Sequence, residues 1–217
     1  MLVDLPVPVP RPSQVLVRSR VSLVSAGTEK YMLDLARRSL LGKALARPDW
    51  VKQVADKARA EGLLEAYRQA MARLDNPIPL GYSLAGEIVE VGSDVAMLSV
   101  GDRVACAGSG YASHAEYVVV PENLCVALPE GVEFEGGAFV ALGAIALHAV
   151  RMVDAQLGQR LAVIGLGLLG QLIAQIVAAA GARVIGLDPN PTRCRLAEDL
   201  GVEATTTSAD DFTVLCS

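Results

Sequence analysis

Leu161-Ala162-Val163-Ile164-Gly165-Leu166-Gly167-Leu168-Leu169-Gly170 decides how this chain folds. Leu161 to Ile164 is continuously apolar, the grammar of a strand in a parallel sheet covered on both faces. Gly165, Gly167 and Gly170 then space a G-x-G-x-x-G turn, and a helix is expected from about 168 to 180. A second strand, 183–188, and a second helix from about 191 to 200, opened by Pro191, follow. Strand, glycine turn, helix and strand make a βαβ unit. The turn has a chemical use there: the first glycine permits the bend and the second lets a pyrophosphate reach the backbone. The third lets helix and strand pack closely. The helix N-terminus adds unpaired N–H groups and a positive dipole end. A glycine-rich turn alone is weak evidence, but this one has the strand, the helix and an acid at the second strand's end. That acid, Asp188, lies 18 residues after Gly170. The expected dinucleotide contacts are Gly165, Leu166, Gly167, Leu168, Leu169, Gly170, Asp188 and Arg193. The competing reading is a purely structural βαβ unit with an incidental acid. A carboxylate at 188 accepts both ribose hydroxyls of NAD, whereas NADP would set a phosphate against it. Two like charges about 4 Å apart repel by roughly 4 kcal/mol at an effective dielectric near 20. NAD is therefore expected over NADP, with Arg193 close enough in sequence to soften the repulsion.

The same region poses a membrane alternative, because 22 uncharged residues separate Arg160 from Arg183. Four glycines and two glutamines interrupt that run, which splits better into strand, turn and helix. The net charge of −5 gives no overall footprint for nucleic acid or an anionic membrane. Cys106, Cys125, Cys194 and Cys216 lie far apart, so reduced thiols and a cytoplasmic location are expected. With His114 and His148 the only histidines, no metal-ligand spacing appears, and both read as structural. Asp4 and the prolines at 6, 8, 10 and 12 do not resemble a signal peptide.

Towards the N-terminus the pattern changes to short strands: 14–25, 87–91, 102–106 and 116–120, bounded by glycine or proline. They suggest a small β-barrel or sandwich. Residues 30–76 interrupt them with helical spacing, from Pro48 to Gly62 and from Leu63 to Pro77. That segment carries ten basic residues against six acidic ones. It reads as two amphipathic helices with solvated faces, or alternatively as a basic lid or docking face. A helix is expected from about 136, and the boundary between two domains near residue 135.

Around the fingerprint stand V-S-A-G-T-E (24–29), L-G-Y-S-x-A-G-E-I-V-E-V-G (80–92), V-G-D-R-V (100–104) and H-A-E-Y-V-V-V-P (114–121). This set resembles the medium-chain dehydrogenase/reductase superfamily, which includes the zinc alcohol dehydrogenases. The likeness implies an α/β chain: a GroES-like β-barrel domain (1–135) with the helical insert, then a partial Rossmann domain (136–217) with a doubly wound parallel sheet. The insert and the S-A-G-T-E and L-G-Y-S pieces look closer to bacterial bi-domain oxidoreductases linked to polysaccharide metabolism.

The resemblance also shows departures. The family's first zinc ligand falls at Ala26, its G-H-E motif at Gly81-Tyr82-Ser83, and its later cysteine at Ala141. A short loop, 105–113, replaces the structural zinc lobe. Catalytic zinc needs three protein ligands, so no metal is expected; Cys106 and His114 are at most a remnant pair. A substrate carbonyl would then need hydrogen-bond donors as hydride moves. Thr28 matches the family's proton-relay hydroxyl, and Tyr82 fills the vacated histidine position as a general acid. Structural alternatives are a helix cap for Thr28 and space filling for Tyr82. The likeness fades after Ala204, with 212–216 read as one more strand, so the chain looks truncated at both ends. These readings converge on a zinc-independent, NAD(P)-dependent oxidoreductase acting on a small alcohol or carbonyl substrate, with sugar-related compounds among the candidates, and inactive as this fragment alone. Homo-oligomerisation or a missing C-terminal portion is the expected partnership, without nucleic acid or membrane. The alternative is a non-catalytic nucleotide-binding or scaffold protein that retains the fold.

Overall fold

The computed structural model describes residues 4–37, 79–154 and 156–211. Its first unit is a five-stranded antiparallel sheet in the order β4-β1-β2-β3-β5. The strands are β1 (Gln14–Ser22), β2 (Ser83–Val91), β3 (Arg103–Ala107), β4 (Tyr117–Pro121) and β5 (Cys125–Ala127). Val17 lies opposite both Ile88 and Val118, so one side chain per pleat row enters a shared core. That core holds Val15, Val17, Leu84, Ile88, Val104, Val118 and Val120. Each such side chain contributes roughly 1.5–3 kcal/mol by leaving water. Among the described residues β4 and β5 each pair on one side only, so the sheet stays open where a barrel was expected.

Helix α1 (Ala26–Arg37) leaves the end of β1 directly, four residues ahead of the expected insert. The cause is local: Glu29 Oε1 accepts from the Ser25 N–H at 3.0 Å, a capping exchange that starts the helix early. The two helices expected at 48–62 and 63–77 lie outside the described residues.

A short helical turn, α2 (Phe134–Gly137), leads into α3 (Val140–Val153). Helix α3 packs on β2 and β3 and also on the next unit's first helix. That unit runs β6 (Arg160–Ile164), α4 (Leu168–Ala179), β7 (Arg183–Leu187), α5 (Pro191–Asp199) and β8 (Ala204–Thr206). Its three strands are parallel, in the order β6-β7-β8. The third strand forms at Ala204–Thr206, where two β-branched threonines pair with Gly186 and Leu187. The segment 212–216 expected to form a strand lies outside the described residues. Val163 and Val184 share a core with Ala174 and Val177 of α4 and Cys194 and Ala197 of α5. Among the described residues no helix is long and apolar enough to cross a membrane.

Candidate functional site

The glycine turn is built as its spacing requires. Gly165 has φ +92°, where a side chain would be strained, and its N–H donates to Leu187 O at 2.7 Å. A Cβ on Gly170 would lie 1.9 Å from Gly165 O, so only glycine lets the helix close on the turn. At Gly167, the N-cap of α4, a Cβ would meet nothing within 4 Å. The first glycine bends, the third packs, and the second faces open space at a helix N-terminus. This arrangement fits a dinucleotide pyrophosphate. Leu166 turns inward as a fully buried core side chain against Gly186, so only its backbone is available there. Leu168 is exposed, and Leu169 is half-buried beside it.

Asp188 is tied into the same turn. Its Oδ2 accepts from the Leu166 N–H at 2.9 Å and from Arg193 Nη1 at 3.3 Å; Oδ1 accepts from the Asn190 N–H at 2.8 Å. Only 2% of the side chain is exposed, while Arg193 lies over it half in solvent. Burial pushes the carboxyl's pKa up, but the Asn190 and Leu166 N–H groups and the Arg193 guanidinium outweigh it. The net position is below the ordinary carboxylate range. Oδ1 retains an unused acceptor direction, since a carboxylate oxygen accepts twice.

The second cluster lies where β1 ends and β2 begins. Thr28 sits exposed in the first turn of α1, accepting from Ser25 Oγ at 3.3 Å. Tyr82 is half-buried just ahead of β2, its carbonyl accepting from the Gly108 N–H at 2.9 Å. Ser83 is buried; its Oγ donates to Ala138 O at 2.6 Å and accepts from the Ala141 N–H at 3.3 Å. Two of the segments read as vacated metal ligands, at 81–83 and at 141, are thus linked through Ser83. Ala26 and Ala141 carry no donor atom, and Ala141 instead lines a cavity of about 200 Å³ with Ala105, Ala107, Cys125, Val140 and Ala144. Among the described residues no three His, Cys, Asp or Glu side chains gather as a metal would require.

Two residues of this cluster escaped the sequence reading. In the sequence alone His114 reads as structural and Glu29 carries no role. In the fold, His114 Nε2 lies 3.0 Å from Glu29 Oε1, and Nδ1 lies 2.9 Å from Ser22 Oγ. The signal was present in S-A-G-T-E, whose acid follows the hydroxyl residue, and in H-A-E-Y-V. What the sequence does not show is that Gly81, lacking a Cβ, leaves the room His114 occupies. Cys106 does not join His114; its thiol lies 3.6 Å from Cys125, directly opposite on β5. That neighbour, together with burial, pushes the Cys106 thiol far above its ordinary pKa.

Comparison with known proteins fits this geometry. The family profile of the alcohol dehydrogenase GroES-like domain matches residues 55–130. (R,R)-butanediol dehydrogenase of Bacillus subtilis is 35% identical over 150 residues, covering 58% of this chain and 43% of that protein. Over these stretches the chain is similar to dehydrogenases of the alcohol dehydrogenase type. Another relative, D-guloside 3-dehydrogenase of Escherichia coli, is 34% identical over 128 residues, 57% of this chain and 35% of that protein. The quinone oxidoreductase of Coxiella burnetii shares the fold at 23% identity and a TM-score of 0.73, across 100% of this chain and 61% of its own. The chain therefore spans less than half the length of these curated relatives.

Proposed function

We propose that this chain is the substrate-side and first dinucleotide-binding part of an NAD-dependent, zinc-independent oxidoreductase. It would act on an alcohol or carbonyl, and the D-guloside 3-dehydrogenase match adds weight to a sugar-related substrate. The reading rests most on one observation, the Gly165–Gly167–Gly170 turn with Asp188 beside it. When bound, the nicotinamide would supply or accept the hydride; the protein's task is to hold, orient and move a proton. The α4 N-terminus and Gly167 would hold the pyrophosphate, and Oδ1 of Asp188 the adenosine ribose. A 2′-phosphate would meet the buried Asp188 carboxylate, which is the reason to assign NAD. The donor set supports zinc independence, since Ala26 and Ala141 cannot ligate a metal. Thr28 and Tyr82 are the hydroxyl donors that this reading assigns to the substrate. We divide the function at residue 135, with substrate handling before it and dinucleotide binding after it, in a cytoplasmic enzyme.

One observation favours the non-catalytic alternative: three protein donors already occupy the Asp188 carboxylate. Calorimetry with NAD⁺ and NADP⁺, on this chain and on Asp188→Ser, separates the readings. The enzyme reading expects NAD⁺ to bind at least about tenfold tighter, the equivalent of about 1.4 kcal/mol, and the preference to collapse in the variant. Equal affinities in the parent chain would remove Asp188 from the role.

A further inference from the structure

Ser22, His114 and Glu29 come from three segments and meet at one imidazole ring. Glu29 is a carboxylate with 8% exposure, and its Oε1 accepts the Ser25 N–H at 3.0 Å. The same oxygen lies 3.0 Å from His114 Nε2. An ionised carboxylate can only accept, so Nε2 carries a proton. In the neutral form of the ring Nδ1 then keeps its lone pair, 2.9 Å from Ser22 Oγ, whose hydroxyl can donate to it. The ring is pinned from behind. The His114 N–H donates to Leu80 O at 2.8 Å, and a Cβ on Gly81 would lie 2.8–3.0 Å from His114 N, Nδ1 and Cε1. Gly81 immediately precedes Tyr82, and Glu29 immediately follows Thr28, so two of the ring's neighbours each lie one residue along the chain from a hydroxyl assigned to the substrate. A quarter of the His114 side chain is still open.

We propose that Ser22, His114 and Glu29 form the proton-accepting group of the substrate site, with Ser22 Oγ at the substrate end. This rests on the dehydrogenase reading above. As the carbinol C–H bond breaks, its hydrogen and electron pair leave as hydride for an oxidised nicotinamide, and the C–O bond becomes C=O. The hydroxyl proton passes to Ser22 Oγ while the proton of Ser22 passes to His114 Nδ1. The resulting imidazolium is held by Glu29 until water removes the proton; carbonyl reduction reverses each transfer. Glu29 is a positioning residue, which selects the tautomer and balances the charge.

The test has two arms. In the full-length encoded polypeptide, NADH formation is followed across a panel of alcohols and sugars. His114→Ala and His114→Gln should each lose about 100-fold or more in kcat, the range for a general base, with KM and the NAD⁺ Kd changed less than about threefold. Free imidazole should restore at least about tenfold of the loss in His114→Ala and nothing in His114→Gln. Glu29→Gln should lower kcat by about tenfold, again without moving KM. Independently of turnover, ¹⁵N spectra of residues 1–217 should show the His114 proton on Nε2, and Glu29→Gln should disturb that tautomer. A proton on Nδ1 in the parent, or either His114 variant retaining kcat within about threefold while the parent turns over, overturns the relay alone. A parent that binds no dinucleotide and oxidises no substrate overturns the dehydrogenase reading and the relay with it.

Discussion

The two sheets reach dryness by different means. In the antiparallel unit, large β-branched side chains from four strands fill the core, and both flanking strands protect it. In the parallel unit, the core is made where α4 and α5 lie on one face, through small residues such as Ala174, Cys194 and Ala197. On the other face Ile164, one residue out of phase with buried Val163, is 75% exposed at the edge strand β6. A close helix approach is what a glycine turn for a dinucleotide requires, and small side chains permit it. The consequence is a unit that depends less on packed volume and more on a few polar ties, with Asp188 foremost.

That contrast can be broken or sharpened by substitution. Asp188→Ala should cost the most, about 3–5 kcal/mol, because the buried Leu166 N–H and the part-buried Asn190 N–H both lose a charged acceptor. The half-exposed Arg193 contact adds little. Urea unfolding followed by hydrogen exchange should show the loss concentrated in 160–206; less than about 1 kcal/mol would mean that the turn holds without it. The same carboxylate sets a pH signature. Its folded pKa lies below the ordinary 3.8, so the folded state binds fewer protons than the unfolded chain between those values. Stability from this group is complete above 3.8 and is lost as pH falls through the lowered value. Acid titration of the melting temperature should be shallower in Asp188→Asn, and identical slopes would deny the assignment.

Ile88→Ala removes core volume from the antiparallel unit and should cost about 2–4 kcal/mol. Exchange protection should fall in β1, β2 and β4 more than in β6 and β7; an equal fall would show one cooperative unit rather than two. Ser83→Ala should cost about 1–2 kcal/mol by leaving the Ala138 carbonyl and Ala141 N–H unpaired. It should loosen α3 against β2, read as faster exchange at Ala141. The smallest effect belongs to Gly101→Ala, at about 1 kcal/mol. Its φ is +93° but a Cβ there meets nothing, so only backbone strain changes. A loss in thermal denaturation twice as large would reveal a contact that the backbone geometry does not contain.

Much of this fold was legible because its signals are local. Period-two runs placed β1 to β4, and the fingerprint placed β6, α4 and β7 within a residue or two. The strand Ala204–Thr206 was not, since three residues carry no periodicity and its pairing with β7 comes from tertiary contact. The start of α1 was displaced by a cap formed between Ser25 and Glu29, a bond that composition does not announce. The turn glycines were readable as a spacing, but the inward Leu166 was not, because it depends on Gly186 a strand away. The His114–Glu29 contact spans 85 residues, and no local pattern encodes it.

The bond from the Leu166 N–H to Asp188 Oδ2 bears on any attempt to retarget the cofactor. The carboxylate that would discriminate between nucleotides also holds the loop that receives them, so selectivity and loop shape are one mechanical element. An exchange of Asp188 for a neutral residue, made to admit a 2′-phosphate, would slacken the seat of the pyrophosphate at the same stroke. Successful redesign should therefore come in pairs, with the new recognition residue accompanied by a second acceptor for the orphaned Leu166 amide.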